Sequence, residues 1–206
     1  MNLSASEQLA HSTVRIECEY EDGTRGTGTG FFFRFLENPE NGQHIPVVIT
    51  NKHVVKDPEH GDAKKGHLIM TTANEDNNPN NKDHFQVYYE NFRESWRFHP
   101  DEDVDLCAMP IAPFLEVTKT KNKKLFYIAL NHKSIPSDAQ LEKLSGLEEI
   151  LMIGYPNGIW DSTNNKPIYR KGVTATHPNL DYNGKKEFRE RSAIKGIKRK
   201  ISHKIL

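Results

Sequence analysis

The sequence lacks several features that would point to an exported or membrane protein. No apolar run approaches the roughly 20 residues that span a bilayer, and residues 1–10 lack the basic start and apolar stretch of a secretory signal. Only two cysteines occur, Cys18 and Cys107, each inside an alternating strand-like run rather than at the spacing of a disulfide framework or a metal site. We therefore expect a soluble, cytoplasmic protein with no transmembrane segment and with buried free thiols.

An excess of one charge is also missing from the chain as a whole. The 28 basic residues equal the 28 acidic ones, so nothing in the net charge favours nucleic acid or an anionic membrane as a partner. The balance hides an asymmetry, because residues 189–206 hold seven Lys or Arg and one Glu. The sequence predicts a mildly acidic body, a strongly basic tail and no nucleic-acid partner.

Few segments keep a helical period for three turns, and short strands separated by polar turns dominate instead. This pattern predicts an all-β sandwich or barrel. The predicted strands cover residues 14–20, 31–35, 45–50, 67–72, 84–89, 104–111, 148–155 and 167–177. The polar stretch 74–83 is expected to be an exposed loop, and 119–124 a solvated linker between two halves.

The segment VVITNKHVV, residues 47–55, is the first candidate for chemistry. A buried strand ends at Thr50, and a polar turn then presents His53 just past the strand end. A side chain at that place can reach a cleft while a packed sheet holds its backbone. Upstream, GTGTGFFF at 26–33 contains Gly28 and Gly30, which would let neighbouring backbone approach closely and relieve strain at a bulge or bend.

The second candidate is FHPDEDVDLCAMPI, residues 98–111, in which an acidic turn enters a strand. A carboxylate there can accept a hydrogen bond from a histidine ring N–H and stabilise the imidazolium. Asp105 fits this role better than Asp103, because Asp105 stands in a D-L-C match to the D-L-A motif of a known family. Asp101, Glu102 and Asp103 are expected to form a solvated turn.

These motifs resemble those of the trypsin-like serine peptidases, in which a hydrophobic strand runs into T-A-x-H and a later strand opens with D-L-A. A third stretch, residues 152–188, resembles the G-Y-P-x-G turn and R-x-G-x-x-[AS] strand of bacterial members, through Gly154, Tyr155, Pro156, Gly158, Arg170 and Gly172. The resemblance covers roughly residues 10–188. It implies a chymotrypsin-like double β-barrel with its active site between the barrels: residues 1–118 as the N-terminal barrel, 119–188 as a partial C-terminal barrel and 189–206 as a basic tail.

The resemblance also implies an activity, peptide bond hydrolysis by a His-Asp-Ser triad acting on a polypeptide substrate. His53 would serve as general base and then general acid, and Asp105 would orient it. No metal and no organic cofactor is implied. The family's nucleophile stands in G-x-S-G, whose glycines allow the tight turn and aim two backbone N–H groups at the oxyanion.

No G-x-S-G occurs in the sequence. Ser192 lies near the expected distance but in E-R-S-A-I, without a glycine on either side, and Ser145 and Ser202 have less context still. Neither cysteine fits the place of the nucleophile. We expect a chain with very weak or no hydrolysis, and a second barrel left incomplete.

The same sequence supports several alternatives. The composition change after Phe188 is explained either by a truncated or frame-shifted product, the explanation we prefer, or by a real basic tail with Ile194, Ile197 and Ile201 on one helical face. The chain could also be a non-catalytic binding module that holds a protein partner on a peptidase scaffold. A zinc site of His53, His60 and His67 is a distant further alternative, because no pair has ligand-like spacing.

Overall fold

The computed structural model describes residues 2–184 and 190–192. The chain divides into two compact units, one running up to Asn131 and including Gly154–Ile168, the other holding residues 132–153 and the described residues from 169 onward. The basic tail therefore lies almost entirely outside the described residues, as do the helical face predicted for it and Ser202. Of the tail, only the backbone of residues 190–192 is described.

The first unit is built on one strongly curled, half-barrel sheet. Its strands are β1 (Thr13–Tyr20), β2 (Arg25–Phe35), β3 (Ile45–Thr50), β4 (Lys56–Asp57), β5 (Gly61–Ala73), β6 (Pro79–Tyr89), β7 (Arg97–Phe98) and β8 (Cys107–Pro110). They pair in the order β4-β5-β1-β2-β3-β8-β7, with β6 added beside β5. The described pairs within this sheet are antiparallel.

Alternation along the strands explains where the core of this unit lies. In β1, Val14, Ile16, Cys18 and Tyr20 are all buried, because successive side chains of a strand point to opposite faces of the sheet. They join one cluster with residues from the other strands, including Val48, Leu68 and Met109, and with the aromatic side chains of Phe92, Trp96 and Phe114. One face of the curled sheet is thus covered by apolar side chains.

The described helices are short. They are α1 (Ala5–Ala10), α2 (Lys52–Val55), α3 (Ala112–Thr120) and α4 (Asp138–Leu141), with 3-10 turns at Arg93–Ser95, His132–Ser134 and Pro156–Gly158. None of the described helices is long and apolar enough to cross a membrane. The second unit carries α4 and a three-stranded sheet in the order β11-β10-β9, formed by β9 (Glu149–Gly154), β10 (Ile168–Thr174) and β11 (Glu190–Ser192).

The chain is mostly β, as predicted, with a half-barrel sheet and a second small sheet; the double barrel stays a prediction. Both cysteines are buried and free, as predicted. Residues 119–124 are exposed, as expected of a solvated segment. The residues that follow, however, return to the first unit: Leu125 is buried, and the Phe126 amide donates to the Thr71 carbonyl at 2.8 Å.

The prediction of an exposed loop over 74–83 is only half right, because β6 already begins at Pro79. Thr72 donates its hydroxyl to the carbonyl of Asp83 at 3.0 Å and to its carboxylate at 2.9 Å. Lys123 binds the same carboxylate at 2.7 Å. Cross-strand bonds to a long partner strand thus hold polar residues in a β conformation that their composition does not predict.

Candidate active site

Strand pairing brings the two motif segments to one end of the sheet. Strand β3 ends at Thr50, which pairs with Cys107 at the start of β8. Because the two strands are antiparallel, the residues after Thr50 and those before Cys107 leave the sheet side by side. Asn51 closes the gap by donating its side-chain amide to the Asp105 carbonyl at 2.8 Å.

His53 and Asp105, the two predicted site residues, are in direct contact. The His53 ring Nδ1 lies 2.6 Å from Asp105 Oδ2, and the His53 backbone N–H donates to Asp105 Oδ1 at 3.1 Å. Both oxygens of one carboxylate are therefore engaged by one residue. Because a carboxylate can only accept, its contact with Nδ1 favours the tautomer in which Nδ1 carries the ring proton. In that tautomer Nε2 has a lone pair that can accept a proton.

The surroundings keep the carboxylate charged and the ring accessible. Burial raises the pKa of Asp105, but the hydrogen bonds and charge of His53 and the backbone bond from Lys52 outweigh it, and the pKa falls below its ordinary 3.8. The His53 side chain is 56% exposed, and its Nε2 has no hydrogen-bond partner among the described residues. The pair can therefore take a proton from a group arriving from solvent.

The turn that carries His53 is fixed by the residues on either side of the ring. Helix α2 directs Val54 and Val55 into the core, where both are buried. Gly28 of β2 lies directly against Val54, so closely that a methyl group on Gly28 would overlap the valine side chain. A close approach does occur at Gly28, but the side chain of Val54 makes it rather than the neighbouring backbone that was expected.

The neighbouring acidic residues are in the turn where they were expected. Asp101, Glu102 and Asp103 are exposed, and the Asp101 carboxylate accepts from the Asp103 amide at 2.9 Å. Lys52 reaches the Asp101 carbonyl at 2.8 Å. Asp105 rather than Asp103 therefore contacts His53, as the D-L-C match suggests.

The third motif forms a tight turn within the first unit. Asn157 and Gly158 both have positive φ, 51° and 73°, which explains the asparagine and glycine at these positions. The Tyr155 amide donates to the Thr29 hydroxyl at 2.9 Å, and Arg15 donates to the Gly158 carbonyl at 3.0 Å. This turn is fastened to β1 and β2.

The other motif residues, Arg170 and Gly172, and the candidate serines Ser145 and Ser192 lie in the second unit. Arg170 and Gly172 lie in β10, and Gly172 pairs with Ser192 of β11. The hydroxyl of Ser145 donates to the Leu147 carbonyl at 2.9 Å. Ser145 is followed by Gly146 but has Lys143 two residues before it, and Ser192 has no glycine on either side, so neither serine stands in the G-x-S-G of this class of nucleophile.

The three histidines of the zinc alternative are not brought together. His60 pairs with Asp22 at 2.8 Å and His67 lies 3.4 Å from Glu17, while His53 holds Asp105. Within residues 2–184 and 190–192, no cluster of three or more His, Cys, Asp or Glu side chains could hold a metal ion. The geometry gives the zinc alternative no support.

Sequence reasoning missed the His60–Asp22 pair, because its members stand in two turns without a motif. It also missed the roles of Asn51 and of the buried polar groups beneath α2. Inward-facing Cys18 and Tyr20 are visible in the alternation of β1, but the alternation does not say which backbone groups they meet. No family model matches the chain, and no curated protein matches its sequence.

Proposed function

We propose that this chain is a trypsin-like serine endopeptidase domain in which His53 and Asp105 form the proton-transfer half of a catalytic triad. On this proposal its two sheets are parts of the two β-barrels of that fold. The observation that carries it is the hydrogen bond from the His53 ring Nδ1 to Asp105, on a histidine side chain that is 56% exposed.

The proposed division of labour follows from this geometry. A serine hydroxyl attacking a peptide carbonyl must lose a proton, and an exposed imidazole Nε2 accepts it. The ring then carries a positive charge, which the ionised Asp105 stabilises through Nδ1–H. Protonated His53 next gives its proton to the leaving amine as the peptide C–N bond breaks, which leaves an acyl-serine. Water then attacks this ester with the same help from His53 and releases the acid and the free serine.

The serine itself is not identified in this sequence, which contains no G-x-S-G. Loss of the nucleophile from such a triad lowers turnover by about a millionfold. We therefore propose that this chain on its own hydrolyses peptides very weakly or not at all. The two buried free thiols are consistent with a reducing, cytoplasmic environment.

The general-base role can be measured without a serine, using an activated ester such as p-nitrophenyl acetate. An exposed imidazole with an oriented lone pair catalyses such hydrolysis, so His53→Ala should lower the protein-dependent rate by about tenfold or more. Fluorogenic peptides should show no detectable cleavage. A fluorophosphonate probe should label no serine.

Two matched variants decide how the result is interpreted. His60→Ala removes the other histidine paired with an aspartate, and His132→Ala removes an exposed histidine of the second unit; neither should change the ester rate. Equal losses in all three variants would show that His53 has no special role. Stoichiometric labelling of a serine that disappears in His53→Ala would instead mean that the triad is complete.

The alternative is a non-catalytic binding module on the same scaffold, and the missing G-x-S-G favours it. Such a module would unfold cooperatively, hold a polypeptide or protein partner, and show no dependence of ester hydrolysis on His53. The ester assay with His53→Ala therefore separates the two functions.

A further inference from the structure

Helix α2 has only four residues, so its carbonyl groups need partners from outside the turn. Three side chains beneath it supply hydrogen-bond donors. The Cys18 thiol and the Tyr20 hydroxyl both donate to the Val54 carbonyl, at 3.4 Å and 3.1 Å. The Cys107 thiol donates to the Asn51 carbonyl at 3.7 Å, within reach of a sulfur donor.

These donors come from different parts of the curled sheet. Cys18 and Tyr20 belong to β1, whereas Cys107 begins β8, and β2 and β3 lie between those strands. Val54 also packs against Gly28 of β2. The turn is therefore anchored to three strands. The two residues whose carbonyls accept these hydrogen bonds, Asn51 and Val54, are near neighbours of His53 in the chain.

The donors are protected from solvent and stay protonated. Cys18, Tyr20 and Cys107 are 5%, 7% and 3% exposed. Burial raises the pKa of Cys107 to about 12 and also raises the pKa values of Cys18 and Tyr20. All three groups therefore keep the proton that they donate at neutral pH.

We propose that Cys18, Tyr20 and Cys107 are positioning residues that hold the His53 turn in register with Asp105. The catalytic meaning of this inference rests on the proposed function, whereas the positioning itself does not. Each carbonyl has a second donor, the Cys18 thiol for Val54 and the Val54 amide for Asn51, so removing one side-chain donor weakens the anchoring of the turn without leaving the carbonyl unsatisfied. Removing a donor should therefore loosen α2 before it loosens the sheet.

The test uses Tyr20→Phe and Cys107→Ala in the full chain, with two NMR readouts. Amide exchange of Val54 and Lys56 reports the turn directly, because these amides close its bonds to Asn51 and Lys52. Each variant should lower their protection about three- to tenfold relative to the amides of β5. The downfield His53 Nδ1–H resonance, a signature of the bond to Asp105, should broaden or weaken.

The controls separate positioning from general loss of stability. Tyr89→Phe removes a hydroxyl from another partly buried tyrosine that packs on Phe92 and Phe114, and it should leave both readouts unchanged relative to β5. Cys107→Ser restores a donor and should recover most of the protection lost in Cys107→Ala. Tyr20→Phe remains informative if Cys107→Ala fails to fold.

Two results would have different consequences. If Tyr20→Phe and Cys107→Ala change the Val54 and Lys56 amides no more than Tyr89→Phe does, the positioning role is overturned. If Asp105→Asn leaves the His53 ring resonance unchanged, the proposed catalytic pair is wrong, whatever the amides show. The two proposals can thus fail independently.

Discussion

The first unit contains two histidine–aspartate pairs with similar ring contacts and very different support. The His53–Asp105 distance is 2.6 Å, and the His60–Asp22 distance is 2.8 Å. Both carboxylate oxygens of Asp105 accept hydrogen bonds from His53, one from its ring and one from its backbone N–H. Asp22 divides its oxygens, since Oδ1 accepts from the Thr24 amide of its own turn at 2.8 Å.

The two pairs differ in the backbone that carries the histidine rather than in the contact between the histidine and the aspartate. His53 stands on a helical turn whose next two residues are core residues, whereas His60 and Asp22 join two surface turns. The two pairs are even linked, because the Tyr20 ring stacks on His60 at 5.9 Å while its hydroxyl binds the Val54 carbonyl. A histidine–aspartate contact alone therefore does not separate the proposed catalytic pair from a surface pair; the two pairs differ in how the backbone beneath the histidine is held.

The largest expected effect comes from disturbing that backbone support. Gly28→Ala would place a methyl group into the Val54 side chain and should destabilise the protein by about 1–3 kcal/mol, the usual cost of overpacking a core. Urea unfolding measures this loss, and the ester assay should fall with it. Gly146→Ala is the control, since its nearest neighbour, His177 Cδ2, would be 3.8 Å away. Equal stability of the two variants would contradict the tight packing under α2.

A smaller effect is expected from the carboxylates themselves. Asp105→Asn keeps one acceptor but loses the charge, and should cost about 1 kcal/mol, whereas Asp22→Asn should change the urea midpoint little. The pKa of Asp105 is lowered on folding, so its contribution exists above the unfolded pKa and is lost as pH falls through the folded value. The gap between wild type and Asp105→Asn should therefore begin to narrow as pH falls below the ordinary carboxyl pKa and should close once pH is below the folded pKa of Asp105. A gap that persists there would show that Asp105 does not act through its charge.

Part of the fold and of the candidate site can be predicted from the sequence. Strand β3 matches its predicted range, Ile45–Thr50, residue for residue, because a continuous apolar run leaves little choice. The contact of His53 with Asp105 was expected from the resemblance of their two motifs to those of the trypsin-like peptidases. The structure adds the physical reason, which is the antiparallel pairing of β3 with β8. The sequence motifs and the strand pairing therefore agree on the contact between His53 and Asp105.

Other contacts depend on tertiary geometry that no local pattern carries. His60 and Asp22 are 38 positions apart in two turns, and neither turn contains a signal that it will meet the other. The thiol of Cys18 reaches a carbonyl 36 positions away, and alternation predicts only that this thiol faces inward. The early start of β6 at Pro79 likewise depends on pairing with β5 rather than on composition.

The smallest expected effect concerns the pair of His60 and Asp22. Its contribution to stability depends on pH in the opposite sense to that of Asp105. The hydrogen bond to Asp22 raises the pKa of His60 above its ordinary 6.5. Its contribution to stability is therefore fully present below the unfolded pKa and is lost as pH rises through the folded pKa. His60→Gln should lower the urea midpoint slightly at about pH 6 and not at about pH 9. A pH-independent change would mean that stacking on Tyr20, not charge, holds His60, and the two pairs would then differ in chemistry as well as in support.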